Sequence, residues 1–373
     1  MNSSTSLLPM GVAHKIACAA LLAAAVFVAT GCKSDAGAAA GATQTVGQDD
    51  VVNTDDLVAA DSGGAGAAKV GEPAQLLGVA RKSVENSRAH VRSVIDLIKE
   101  IAGDKKPATT GTTAVAKLPY GTWTGTKNGV ELTLWVIRTA ENRLRYVMAG
   151  KKGADTKVLL TGVFIKKAPR VGGGRLHVSL TNVSALFGAP NKSGSMHVWF
   201  ANHKTDVKGR RVAYLNVKDI NDSNDVPGNF AIDAVHKPGV GGRLRSIAIA
   251  DFDTKMPGRE LFAMRVLWKA AVGGRADAIY ANLTLTTATH LAEVHECWGA
   301  DGLRTAFAST PPDPNNAQEG DTKTCFSFGE DKVPDTVASA NGKDPDPELD
   351  TLLAESGAAG IDQAEADKAD VAL

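Results

Sequence analysis

Between Gly121 and about Phe328, large apolar residues return at every second position, the period of a strand with one buried face. In VELTLWVI (130–137), Val130, Leu132, Leu134 and Val136 fall on one side, and Glu131, Thr133 and Trp135 on the other. NRLRYVM (142–148) sets Leu144, Tyr146 and Met148 opposite Arg143 and Arg145. The alternation continues through RLHVSL (175–180), SMHVWF (195–200), RVAYLNV (211–217), NFAIDAV (229–235), RLRSIAIADF (243–252), ELFAMRVLW (260–268) and RADAIYANLTL (275–285). Turn clusters such as KNG (127–129), KKGAD (151–155), NKSG (191–194), GVGG (239–242) and GG (273–274) separate the runs. Short turns of this kind predict a mainly β fold: an antiparallel meander of roughly ten strands, as a half-barrel, barrel or two-layer sheet. Crossover helices have little room, which argues against a parallel sheet. GGGRLHVSL, GVGGRLRSI and VGGRADAIY resemble one another and read as repeated hairpin entries.

Upstream the period changes. Leu77, Ala80, Val84, Val91, Val94, Ile98 and Ile101 follow a near-heptad spacing, predicting one N-terminal α-helix over 73–103. Pro73 suits its first turn, and Gly103 and Pro107 stop it. Ser87 interrupts the apolar seam, so a helix laid against the sheet is expected rather than a coiled coil. Residues 33–71 are rich in Gly, Ala, Ser, Thr and Asp, and 330–373 in Asp, Glu, Ala and Pro. Neither bury enough apolar surface to offset ordering, so a disordered tether (32–72) and an acidic disordered tail (330–373) flank a β domain over 117–329.

The first residues read as an export signal: His14 and Lys15 precede the uncharged apolar run Ile16 to Ala29, too short to span a bilayer. Met10 also fits as a start. The run ends in Ala29-Thr30-Gly31-Cys32, which resembles the lipobox of bacterial lipoproteins; Ala29 stands where that family usually has Leu. The resemblance implies cleavage of a signal peptide (1–31) and a diacylglycerol on the Cys32 thiol. Lys33 follows, not the Asp that retains enteric lipoproteins at the inner membrane, so an outer-membrane envelope address is implied. Of the four cysteines, Cys18 leaves with the signal and Cys32 takes lipid, so Cys297 and Cys325 are expected to pair. That closure stabilises by roughly 3–4 kcal/mol on the chain-entropy estimate.

Charge is divided although the formal net charge is zero: residues 117–296 hold 26 Lys and Arg against 14 Asp and Glu, and 300–373 hold 5 against 16. A basic β body suggests an anionic envelope partner such as lipid head groups, phosphorylated glycolipid or acidic polysaccharide. Strand faces solvated by Lys and Arg account for the same charge. No run of aromatics resembles a stacking platform, so nucleic acid is not expected.

Catalytic signatures such as G-x-S-x-G, S-x-x-K, H-E-x-x-H and the Walker loop are absent from the sequence, and neither a cofactor nor a catalytic set is expected. In THLAEVHECW (289–298), Glu293, His295 and Cys297 share a strand face, a weak metal candidate since Cys297 has a partner in Cys325. DINDSND (219–225) alternates Asp219, Asn221, Ser223 and Asp225 like the start of a calcium loop, then places Asn224 and Phe230 where Gly and Glu belong. Asp251, Asp253 and Glu260 form a second carboxylate cluster.

Tether, helix and meander together are similar in architecture to the half-barrels of outer-membrane lipoprotein carriers, which implies a curved sheet with helical cover around an acyl chain. The function expected is a non-catalytic envelope lipoprotein whose basic β body binds an apolar ligand or an anionic envelope component. The alternatives are a structural or assembly lipoprotein docking to another envelope protein, and a hydrolase with its site dispersed over loops.

Overall fold

A computed structural model describes residues 69–325, apart from 103–104, 106, 113–117, 141–142, 169–170, 189–190, 203–207, 223–226, 238–239, 252–257, 284–287, 313–317 and 323–324. The expected export signal, Cys32, the expected tether up to 68, and the acidic tail lie outside the described residues.

The helix α1 (Gln75–Ile101) falls inside its expected span. After it come β1 (Thr109–Thr112), β2 (Pro119–Lys127), β3 (Val130–Ala140), β4 (Arg143–Lys152), β5 (Asp155–Ala168) and β6 (Val171–Ser179). A second helix, α2 (Leu180–Phe187), precedes β7 (Lys192–Asn202), β8 (Lys208–Asp219), β9 (Gly228–Lys237) and β10 (Gly241–Ala250). The chain continues with β11 (Arg259–Lys269), β12 (Gly273–Leu283), β13 (Ala288–Gly299) and β14 (Arg304–Thr310). All fourteen strands belong to one antiparallel sheet in sequence order, and it does not close. The meander is as expected; the strand count is higher, and a barrel or two-layer stack is replaced by a single open sheet.

The added strands have physical reasons. In β5 a register shift opposite Met148 and Ala149 places Leu159 and Leu160 side by side, both buried, which breaks the period of two. The four-residue β1 is TTGT, with no large apolar residue to mark it. Helix α2 follows directly on β6: Ser179 accepts the Asn182 N–H at 3.2 Å as an N-cap, and Gly188 closes it at φ 73°. Ser179 and Gly188 were the available signals.

Alternate side chains of β2 to β14 face α1 and share one apolar cluster with it. One register row of this inner face runs Trp123, Leu134, Met148, Leu160, Val178, Met196, Tyr214, Phe230, Ala248, Phe262, Tyr280 and Ala292. Helix α1 starts on β13, where Glu296 takes the Gln75 and Leu76 amides, and ends on β2, where Lys127 meets Glu100 at 2.6 Å. A helix of 27 residues is about 40 Å long, while β2 and β13 in a flat sheet would stand roughly 53 Å apart. The sheet therefore curls around the helix. Glu296 and Lys127 lie toward the C-terminal ends of oppositely directed strands, so α1 crosses the trough diagonally.

The repeated hairpin entries gain a packing reason. Gly241 and Gly273 have φ of 142° and 131°, and a Cβ on Gly274 would stand 2.2 Å from the Trp298 ring, so the second glycine leaves room for the indole. The β14 edge is covered: Phe307 bridges to Glu319, Gln318 bonds Ser309, and Cys325 is joined to Cys297.

Candidate functional site

The sheet face opposite α1 collects the charge. Its central register row runs Arg145, Val163, Arg175, Trp199, Arg211, Asp233, Arg245, Arg265, Asp277 and His295, each residue the direct cross-strand partner of the next. Arg143, Arg243 and Arg275 lie one row away on the same face. These arginines are half-buried or buried, Arg175 and Arg265 to 9% exposure, and in Arg265 the burial extends to the guanidinium itself.

Two carboxylates organise the row. Asp233 receives Arg211 through both oxygens, Nε at 2.5 Å and Nη2 at 3.1 Å. Asp277 takes Arg265 Nη2 at 2.6 Å on one oxygen, and Arg275 Nε at 2.7 Å and His295 Nδ1 at 2.8 Å on the other. Arg265 Nε and Nη1 are buried and reach no acceptor among the described residues. Burial alone would raise the Asp277 carboxyl; hydrogen bonds from His295, Arg265 and Arg275, with the Arg275 charge, outweigh it and hold the group well below the usual carboxylate range. Its contribution to stability is complete above the unfolded value of about 3.9 and is lost as pH falls toward the lower native value. Asp277→Asn is therefore expected to lower stability by about 2 kcal/mol at neutral pH and to flatten the decline below pH 4. Urea unfolding of both proteins across that range checks this; parallel curves would contradict it.

Beside the row, His177 and His197 are cross-strand partners with rings stacked at 4.5 Å, and His197 stacks on Trp199 at 5.5 Å. The Arg211 guanidinium lies 5.8 Å from the Trp199 ring centroid. A cluster of aromatics is therefore present on this face, against the expectation from the sequence. His197 and Trp199 share a face of β7 by alternation, and the register with β6 brings His177 to them.

The inner face holds a smaller polar site under α1. Burial lowers His90 to a pKa of about 4, so it is neutral, and its Nδ1 shares a hydrogen bond with the Tyr214 hydroxyl. Burial pushes the Tyr214 phenol up. His90 Nε2 and Ser87 Oγ, on residues 9% and 4% exposed, have no hydrogen-bond partner among the described residues.

The residues singled out in the sequence disperse. Glu293, His295 and Cys297 do share the outer face of β13, but His295 Nε2 lies 3.1 Å from Glu293, its Nδ1 binds Asp277, and Cys297 is in the disulfide. Asp219 accepts Lys192 at 2.7 Å and the Asn221 amide at 2.9 Å, an ordinary turn closure; Ser223 and Asp225 lie outside the described residues. Glu260 is fully buried and faces Asn282 across 3.4 Å, on the opposite sheet face from Asp277; Asp253 lies outside the described residues. Among the described residues no three metal-ligating side chains converge. No described helix is long and apolar enough to cross a membrane.

Neither a protein family, a curated protein nor a solved structure matches the chain.

Proposed function

We propose that this chain is a non-catalytic, lipid-anchored protein of the bacterial envelope whose outer sheet face binds an anionic envelope component. The observation that supports this is the register that brings Arg145, Arg175, Arg211, Arg245 and Arg265 into one line against only Asp233 and Asp277. A patch so lined draws anions and is weakened by salt. The trough, by contrast, is already occupied by α1, which buries thirteen side chains in it.

Purified full-length protein in detergent is expected to be retained on sulfated dextran, released by raising ionic strength, and not retained on neutral dextran. Charge reversal at two rungs, Arg145→Glu with Arg245→Glu, is expected to abolish retention. Equal retention on both supports would sink the reading.

A second reading, an apolar ligand with a polar end held beneath α1, draws on the buried and unpartnered His90 Nε2 and Ser87 Oγ. Such atoms cost about 1–3 kcal/mol each unless something satisfies them. Native mass spectrometry of protein purified from its own envelope tests it: a lipid retained one-to-one supports this reading, and a clean apo mass argues against it.

A further inference from the structure

Among the described residues, five large apolar side chains stand exposed, and three of them, Val70, Val240 and Val272, lie at one end of the sheet. Val240 and Val272 crown the β9–β10 and β11–β12 turns at 53% and 49% exposure. The Ala270 N–H donates to the Val240 carbonyl at 2.9 Å, so the two tips stand side by side. Each valine opens the same four residues, Val-Gly-Gly-Arg, at 240–243 and 272–275, and each follows a lysine three residues earlier, Lys237 and Lys269. Both lysines pair with Gly241 in one register row. Val171 begins a third copy, one glycine longer, on β6 at the same end.

Charge differs between the two ends of the strands. The three residues nearest the valine tips in each of β5 to β12 include Lys166, Lys167, Lys208, Lys237, Lys269 and three arginines, with no Asp or Glu. The opposite ends of those strands hold four cations against three acids, and the exposed Ile220 there stands between Asp219 and Asp222. Apolar tips set among positive charge match the surface of an anionic bilayer, where valines enter the head-group boundary and lysines stay among the phosphates. A stable protein partner covers a broader apolar patch than separate valine tips offer.

The chain enters the fold at this same end. The Gly71 N–H donates to the Arg304 carbonyl at 2.9 Å and the Ala74 N–H to the Gly302 carbonyl at 3.1 Å, so 71–74 run along the β13–β14 turn. The carboxylates at that corner are engaged in the fastening: Glu72 accepts the Lys69 amide, Glu319 the Val70 amide and Asp301 the Leu303 amide. A lipid on Cys32 would thus connect to the body from the side of the valine tips. Resting on the lipid-anchor reading, we infer that the sheet stands on an anionic membrane surface through the Val240 and Val272 tips, with Lys237 and Lys269 beside them.

The experiment places an NBD fluorophore on full-length protein, purified from its own envelope and reconstituted into vesicles, at Val272→Cys or, at the opposite end, at Asp222→Cys. The parent protein carried through the same labelling corrects for its native cysteines. On phosphatidylglycerol mixed with phosphatidylcholine, the label at 272 is expected to be quenched by nitroxide on the lipid acyl chains, and the label at 222 by iodide from the water. Lys237→Glu with Lys269→Glu is expected to lose the lipid quenching while the protein stays on the vesicles, and raised salt or phosphatidylcholine alone to do the same. Lipid quenching that survives charge reversal and salt overturns the proposal. Iodide reaching both labels on vesicle-bound protein overturns it and leaves the lipid-anchor reading standing, as does self-quenching between labels at 272, which would mark a second copy as the occupant. Protein that remains on vesicles of neither composition overturns both.

Discussion

Glu296→Ala is expected to remove about 3–5 kcal/mol of stability, or roughly 10 °C in Tm for a domain of this size. Helix α1 opens at Ala74, which has no side chain to cap it, and its first turn holds no acidic residue. Glu296, 220 residues away on β13, does this work: Oε1 accepts the Gln75 amide at 2.9 Å and Oε2 the Leu76 amide at 2.6 Å. The same carboxylate holds Arg304, whose Nε lies 2.7 Å and Nη2 2.6 Å from Oε1, both side chains being fully buried. Burial pushes the Glu296 carboxyl up, and Arg304 with the two amides pulls it back. Alanine strands a buried cation and two helix amides at once. Arg304→Met alone leaves a buried acid that takes up a proton, so it is expected to cost less. Glu296→Gln with Arg304→Met keeps an acceptor for the amides, removes both charges, and is expected to recover most of the loss. Denaturant unfolding of the three variants decides it; a loss below 1 kcal/mol for Glu296→Ala would mean that the helix end is held by packing alone.

His90 is expected to begin costing the fold stability near pH 6.5, before ordinary carboxylates start to titrate. Its native pKa is about 4, set by burial, against an unfolded value of about 6.5. Between those values the unfolded chain binds a proton that the native chain does not, so stability rises with pH across this window and falls as pH drops from 6.5 to 4. The full difference corresponds to about 3 kcal/mol. His90→Gln removes the titration and keeps a hydrogen-bonding group for the Tyr214 hydroxyl, so its stability should be level between pH 6.5 and 4 apart from the drift common to both proteins. Urea midpoints at three pH values across the window check this. An unchanged slope in His90→Gln would show that His90 is not the group responsible.

How much of this was legible in the chain differs by element. The inward residues of β3, Val130, Leu132, Leu134 and Val136, are the four buried positions that alternation picks out, because a strand with one covered face must repeat every two residues. Helix α1 was equally plain, though Ser87 and His90 on its buried face gave no sign of their surroundings. In β11 and β12, where most positions on both faces are buried, alternation says little about which face is which. The disulfide was legible by counting cysteines on the expectation that Cys18 leaves with a signal and Cys32 takes lipid, which leaves Cys297 and Cys325 to pair.

What the sequence determined by itself is the local: period, turns, the helix span and the partition of apolar from polar within each strand, all set by interactions over a few residues. What only the tertiary structure decided is the register between strands. Arg145 and Arg245 lie a hundred residues apart, yet hydrogen-bond ladders through five intervening strands put them on one line. His177 meets Trp199 through His197, and Glu296 caps a helix begun 220 residues earlier, for the same reason. A one-residue slip in any ladder would turn that strand over and break the row; each turn sets only the pairing of its two neighbours, and the row exists only when all the ladders stand together.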